Sequence, residues 1–188
     1  MERQRVAPLG LGWPNLISAF RIVLVPVLVV LIVIGTRAAA YAAVATFVIG
    51  ALSDGLDGYL ARRHRMTTRT GAWLDPLSDK LLVAAPVLTL AALGDFPWLG
   101  AAVIVVREAA VSLLRVYLGM RGVSMPASDI AKVKTGAQLV AITLYLWPLP
   151  ERAEGARLAA LVIALVVTVY SGVDYFLKSR TRLAEGAR

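Results

Sequence analysis

Apolar residues do not alternate with polar ones along this chain; they gather in long runs separated by short charged segments. Runs such as VLVPVLVVLIVI and RLAALVIALVVTVY lack the period-two pattern of a barrel strand. A helix needs roughly 20 apolar residues to cross a hydrocarbon core about 30 Å thick. Six stretches meet that length: approximately Asn15–Ile34, Arg37–Leu60, Leu74–Leu93, Pro97–Met120, Ile130–Pro148 and Ala156–Leu177. Backbone at membrane depth must satisfy its own hydrogen bonds, so these runs predict helices. The expectation is an all-α, polytopic membrane protein, a bundle of six transmembrane helices forming a single domain over 1–188. Residues 1–14 are expected as a juxtamembrane N-terminal segment.

Composition agrees with that pattern. Of 188 residues, 59% are hydrophobic and 17% charged, against about 45–50% and about 25% in soluble domains. A soluble domain and a disordered chain are both excluded. With no Cys, a disulfide framework and a cysteine nucleophile are excluded too. The single His, His64, leaves no His-rich metal site. The first apolar run is too long for a cleaved signal peptide and has no small-residue cleavage motif, so it is expected to be retained.

The net charge of +8 is unevenly placed. Arg3, Arg5, Arg62, Arg63, Arg65, Arg69, Arg121, Lys132, Lys134, Lys178, Arg180, Arg182 and Arg188 fall on one side of the expected bundle, against Arg37, Arg152 and Arg157 on the other, diluted by Asp95, Glu151 and Glu154. The bias predicts a cytoplasmic-membrane protein with both termini facing the cytoplasm. It suits anionic lipid headgroups, at about 1 kcal/mol per basic residue. No aromatic–basic module accompanies it, so nucleic acid is not an expected partner.

Four carboxylates stand at the edges of apolar spans: Asp54 and Asp57 close the second, Asp75 and Asp79 open the third. Ionisable groups at such places cost a few kcal/mol each and point to function. On a helix Asp57 lies about 60° from Asp54, with Gly58 and Ala61 within about 40° of that stripe. Small side chains there let a ligand approach the main chain. Gly71, Asp75 and Asp79 step by four and share a second stripe. Pro76 either places Asp75 at an N-cap or bends a helix that began earlier. Four acids in a low-dielectric pocket repel one another, and a divalent cation relieves this. Oxygen-only ligands favour Mg2+, Mn2+ or Ca2+ over zinc or copper. Two carboxylate pairs suit two ions, the arrangement that clamps a phosphoryl group during displacement. Phosphoryl transfer at a membrane surface is the chemistry this implies.

The run from Asp54 to Asp79 fits the pattern D-x2-D-G-x2-A-R-x8-G-x3-D-x3-D at all eight fixed positions, and by it the chain resembles the CDP-alcohol phosphotransferase family. The resemblance implies a homodimeric six-helix membrane enzyme that transfers the phosphatidyl group of CDP-diacylglycerol to an alcohol, releasing CMP. It implies Asp54, Asp57 and Asp75 as principal metal ligands for two Mg2+ or Mn2+ ions. Asp79 resembles the general base, which also touches a second ion. Asp57, Gly58, Ala61, Arg62 and Gly71 resemble the nucleotide-binding positions. No residue stands out as a covalent nucleophile, so direct transfer is expected.

The second half bears on the acceptor. Arg107 and Arg115 lie inside an expected span, within about 80° of each other on a helix. With Lys132 and Lys134 they are read as a basic pocket beside the carboxylates, suited to a dianionic phosphate. The bland alternative has the lysines as positive-inside residues and Arg107 paired with Glu108. The runs RE-x6-R and K-x-KT-x2-Q, with Pro14-Asn15 through Arg21, resemble the branch whose acceptor is glycerol 3-phosphate, although Ala131 stands where that branch usually has Gly. Branches using phosphatidylglycerol or inositol phosphate are the alternatives within the family. From another class, a cation transporter also carries intramembrane acids, but nearer the midplane and in repeated halves. The remaining tryptophans read as interfacial anchors, and Asp174 as a partner for Lys178 at i,i+4.

Overall fold

The structure is a computed structural model that describes the backbone of residues 13–64, 71–123, 125 and 129–186, and the side chains of 19–53, 77–123, 125 and 129–183. Among these residues all regular structure is helical. The elements are α1 (Trp13–Ile34), α2 (Arg37–His64), α3 (Gly71–Leu93), α4 (Trp98–Met120), α5 (Asp129–Leu146) and α6 (Glu154–Gly186). A 3-10 turn, Glu151–Ala153, leads into α6. Each of the six apolar runs is therefore helical. α6 continues well past its apolar run, through a tail of Lys, Arg, Leu and Ala, which are good helix formers.

The chain forms two compact units. One comprises residues 1–90 with 146–148, the other 91–145 with 149–188. In the first, α1 packs along α2 over a core containing Leu28, Ile32, Phe47 and Leu82. Gly50 permits the closest approach there, because a Cβ would stand 2.9 Å from Leu82 Cδ1. The Thr36 hydroxyl accepts from the Ala39 amide at 3.2 Å, capping the N-terminus of α2. Pro26 sits inside α1, where it removes one intrahelical donor.

In the second unit α4 packs against α6, and Ala101 and Ile104 of α4, Ile142 of α5 and Leu161 of α6 are buried. Gly122 ends α4 at φ +73°. Its amide donates to the Gly119 carbonyl and the Val123 amide to that of Leu118, both at 3.0 Å, which is a Schellman termination. Nothing lies within 4 Å of a Cβ added at Gly122, so Gly122→Ala meets only the left-handed backbone penalty. We expect it to lower stability by about 1 kcal/mol, read as a lower thermal midpoint of the detergent-solubilised protein.

Large apolar side chains also cover the outside: Leu99 and Met120 are each 76% exposed and Leu113 is 71% exposed. Among the described residues one stretch, Glu151–Leu183, is by length and composition apolar enough to cross a membrane; Ala19–Ile34 and Arg37–Ser53 are shorter apolar helices. Charged residues interrupt the apolar character of α4 at Arg107, Glu108 and Arg115 and of α5 at Asp129, Lys132 and Lys134.

Candidate active site

In the first unit the helical backbone carries Asp54 and Asp57 one turn apart in α2, and Asp75 and Asp79 one turn apart in α3. Because α3 begins at Gly71, Asp75 is not its N-cap, and Pro76 lies within a helix that started earlier. The side chains of Asp54, Asp57, Gly58, Ala61, Arg62, Gly71 and Asp75 lie outside the described ones. Among the described residues no three His, Asp or Glu side chains gather into a metal-sized group; Asp79 is the one member of the quartet within them.

Asp79 is 44% exposed, and its Oδ1 accepts a hydrogen bond from Nη1 of Arg21 on α1, whose side chain is 1% exposed. An arginine buried in an apolar helix is a costly group held in place by a carboxylate. In the sequence Arg21 stands out only as the end of the Pro14–Arg21 resemblance. Its position inside the first apolar run was the physical signal that marks it.

The second unit holds a polar network between α4, α5 and α6. Glu108 Oε1 accepts from Lys134 Nζ at 2.6 Å and from Arg107 Nη1 at 3.1 Å. Arg107 Nη2 donates to the Ser171 hydroxyl, and Gln138 Nε2 donates to Thr168 Oγ1 at 2.9 Å. Gly172 makes room for this arrangement: a Cβ there would lie 3.3 Å from Arg107 Cγ. One turn further along α6, the Arg115 guanidinium stands 5.8 Å from the centre of the Tyr175 ring, a cation–π distance.

Arg107, Arg115 and Lys134 therefore all meet partners on neighbouring helices, and Arg107 does pair with Glu108. Lys132 is not brought to this set. Its ammonium is exposed and bonds Asp129 Oδ1 at 2.8 Å, holding that carboxyl below its ordinary pKa. The reason is helical geometry: two residues apart on α5, Lys132 and Lys134 point about 160° away from each other. Ser171, Thr168 and Tyr175 were not singled out from sequence. Hydroxyls in an apolar helix carry little signal until the facing helix is known. The expected Asp174–Lys178 pair is present at 2.8 Å.

The sequence profile of a family described as CDP-alcohol phosphatidyltransferase matches residues 11–170. The chain is 37% identical over 180 residues to a probable phosphatidylglycerophosphate synthase of Mycobacterium tuberculosis, covering 94% of this chain and 84% of that one. It is 40% identical over 177 residues to a CDP-diacylglycerol–glycerol-3-phosphate 3-phosphatidyltransferase of Pectobacterium atrosepticum, covering 92% and 97%. The protein of the same name in Escherichia coli K12 is 37% identical over 177 residues, with the same coverage. A profile match over most of the chain, joined to near full-length relatives above 30% identity, fixes the membership: the chain belongs to the CDP-alcohol phosphatidyltransferase family.

Proposed function

We propose that this chain transfers the phosphatidyl group of CDP-diacylglycerol to glycerol 3-phosphate, giving phosphatidylglycerophosphate and CMP. The observation that carries the choice of acceptor is the charge of the second unit's network. Arg107, Arg115 and Lys134 contribute three positive charges and Glu108 one negative, leaving a surplus of two. A phosphate monoester carries about −1.5 to −2 near neutral pH, so an acceptor bearing one matches that surplus, and the name shared by the relatives points to glycerol 3-phosphate among such acceptors. Arg107 and Lys134, held on one carboxylate, present their remaining donors in fixed positions for charge-assisted bonds.

In this reading the protein is one domain, a six-span bundle in the cytoplasmic membrane, working as a homodimer with active site and termini facing the cytoplasm. The apolar exterior supports it, as does the stretch Glu151–Leu183. Asp54, Asp57, Asp75 and Asp79 would hold two Mg2+ or Mn2+ ions, since two carboxylate pairs, each one helical turn apart, form an all-oxygen donor set suited to hard cations. Ions bound there would supply positive charge to offset that of the pyrophosphate and of the departing CMP. Asp57, Gly58, Ala61, Arg62 and Gly71 accommodate the cytidine nucleotide. Asp79, half-exposed and steadied by Arg21, takes the proton of the attacking hydroxyl. The acceptor oxygen bonds to the phosphatidyl phosphorus as the bond to CMP breaks, with no covalent enzyme intermediate.

The test is an acceptor panel. Purified protein is given CDP-diacylglycerol with labelled glycerol 3-phosphate, inositol 3-phosphate or phosphatidylglycerol, with and without EDTA. Lipid product from glycerol 3-phosphate alone, lost on chelation and restored by Mg2+ or Mn2+, is expected. Product from another acceptor only overturns the acceptor; undiminished turnover in EDTA overturns the metal site.

A further inference from the structure

We propose that the hydroxyl of Tyr175 on α6 is a direct ligand of the acceptor's phosphate, and that α6 therefore supplies one wall of the acceptor site; this rests on the glycerol 3-phosphate reading above. Tyr175 is only 7% exposed, and its hydroxyl has no hydrogen-bond partner. Buried hydroxyls are nearly always bonded, and one left without a partner is destabilising. No regular backbone need explains it, and the residue lies nowhere near the aspartate motif in sequence.

Its surroundings give the hydroxyl a use. Arg115 stands over the ring, so the phenol group sits beside one of the three cations of the network. One turn back on the same helix, Ser171 holds Arg107, and Gly172 leaves space for the Arg107 stem. Ser171 and Tyr175 are four residues apart and share a face of α6, as Arg107 and Arg115 come within about 80° on α4. Two guanidinium groups and one phenol are thereby gathered along the α4–α6 contact. A phenol donates readily to an anionic oxygen and offers an acceptor to a neighbouring hydroxyl. A phosphate between these groups completes the bond that the free protein lacks.

The experiment compares Tyr175→Phe with wild type in steady-state kinetics and in thermal unfolding, with and without glycerol 3-phosphate or inorganic phosphate. Phe keeps the ring under Arg115 and deletes only the hydroxyl. We expect the KM for glycerol 3-phosphate to rise about tenfold or more, the loss of one bond to a charged group. The KM for CDP-diacylglycerol should change less than twofold, and kcat should fall far less than acceptor affinity. Without ligand, the midpoint of unfolding should hold or rise, because no bond is lost in the free protein. With ligand, the stabilisation by glycerol 3-phosphate and by phosphate should shrink in the variant.

An unchanged acceptor KM in an active variant overturns the inference alone. So does a clear fall in the ligand-free midpoint, which would mean the hydroxyl is already bonded within the fold. A wild-type protein that neither turns over nor is stabilised by glycerol 3-phosphate overturns the acceptor reading and this inference with it. Tyr175→Leu, which also removes the surface under Arg115, should raise the acceptor KM further than Phe does; equal effects would show that the hydroxyl carries all of the contact.

Discussion

Asp79→Asn is expected to reduce phosphatidyl transfer by about a thousandfold, within the range that a positioned general base contributes, while leaving the fold intact. Asn has nearly the shape of Asp, and its side-chain oxygen still accepts from Arg21, so the α1–α3 contact survives. What it cannot do is take a proton from the acceptor hydroxyl. Turnover of CDP-diacylglycerol with glycerol 3-phosphate measures the loss, and an unchanged unfolding midpoint shows that it is chemical. Raising Mg2+ or Mn2+ tenfold separates the two roles given to this aspartate. Recovery of activity at high metal would make Asp79 a ligand only; failure to recover supports the base. Near wild-type activity in the variant would remove Asp79 from the reaction altogether.

The parts of this protein that could be read in advance share one property: their signal lies within a single stretch of chain. Twenty-residue apolar runs give helices because a helix is the local solution to backbone hydrogen bonding, whatever packs around it, and all six appear. The aspartates announced themselves as charges at the ends of apolar spans, with a spacing of one turn. Arg21 carried the same signal, an ion within an apolar run, yet its partner Asp79 is 58 residues away and no periodicity links them. Lys132 and Lys134 were grouped because they are adjacent in a basic segment; once α5 is seen to start at Asp129, they face opposite ways. Ser171, Thr168 and Tyr175 become meaningful only through Arg107, Gln138 and Arg115 on other helices. Local rules give the elements, while the partners of buried polar groups are a property of tertiary packing.

That distinction between the two lysines gives the second large effect. Lys134→Met is expected to raise the KM for glycerol 3-phosphate about thirtyfold, whereas Lys132→Met should change it less than twofold. Lys134 is 8% exposed and bonded to Glu108; Met fills a similar volume without the charge. Its loss halves the surplus of positive charge from two to one and frees half of Glu108 to repel the incoming phosphate. A charge-assisted bond of this kind contributes about 1.5–3 kcal/mol, or roughly ten- to a hundredfold in affinity. Arg107 remains on Glu108, so the carboxylate is not left without a counter-charge, and the fold should survive. Lys132, 75% exposed and paired with Asp129, belongs to a solvent-screened surface ion pair, whose loss disturbs little. Acceptor kinetics on the two single variants at fixed CDP-diacylglycerol read the contrast directly. Equal losses from both would place the acceptor's phosphate at the N-terminal turn of α5 rather than against α4 and α6. Loss from Lys132→Met alone would overturn the buried network as the acceptor site.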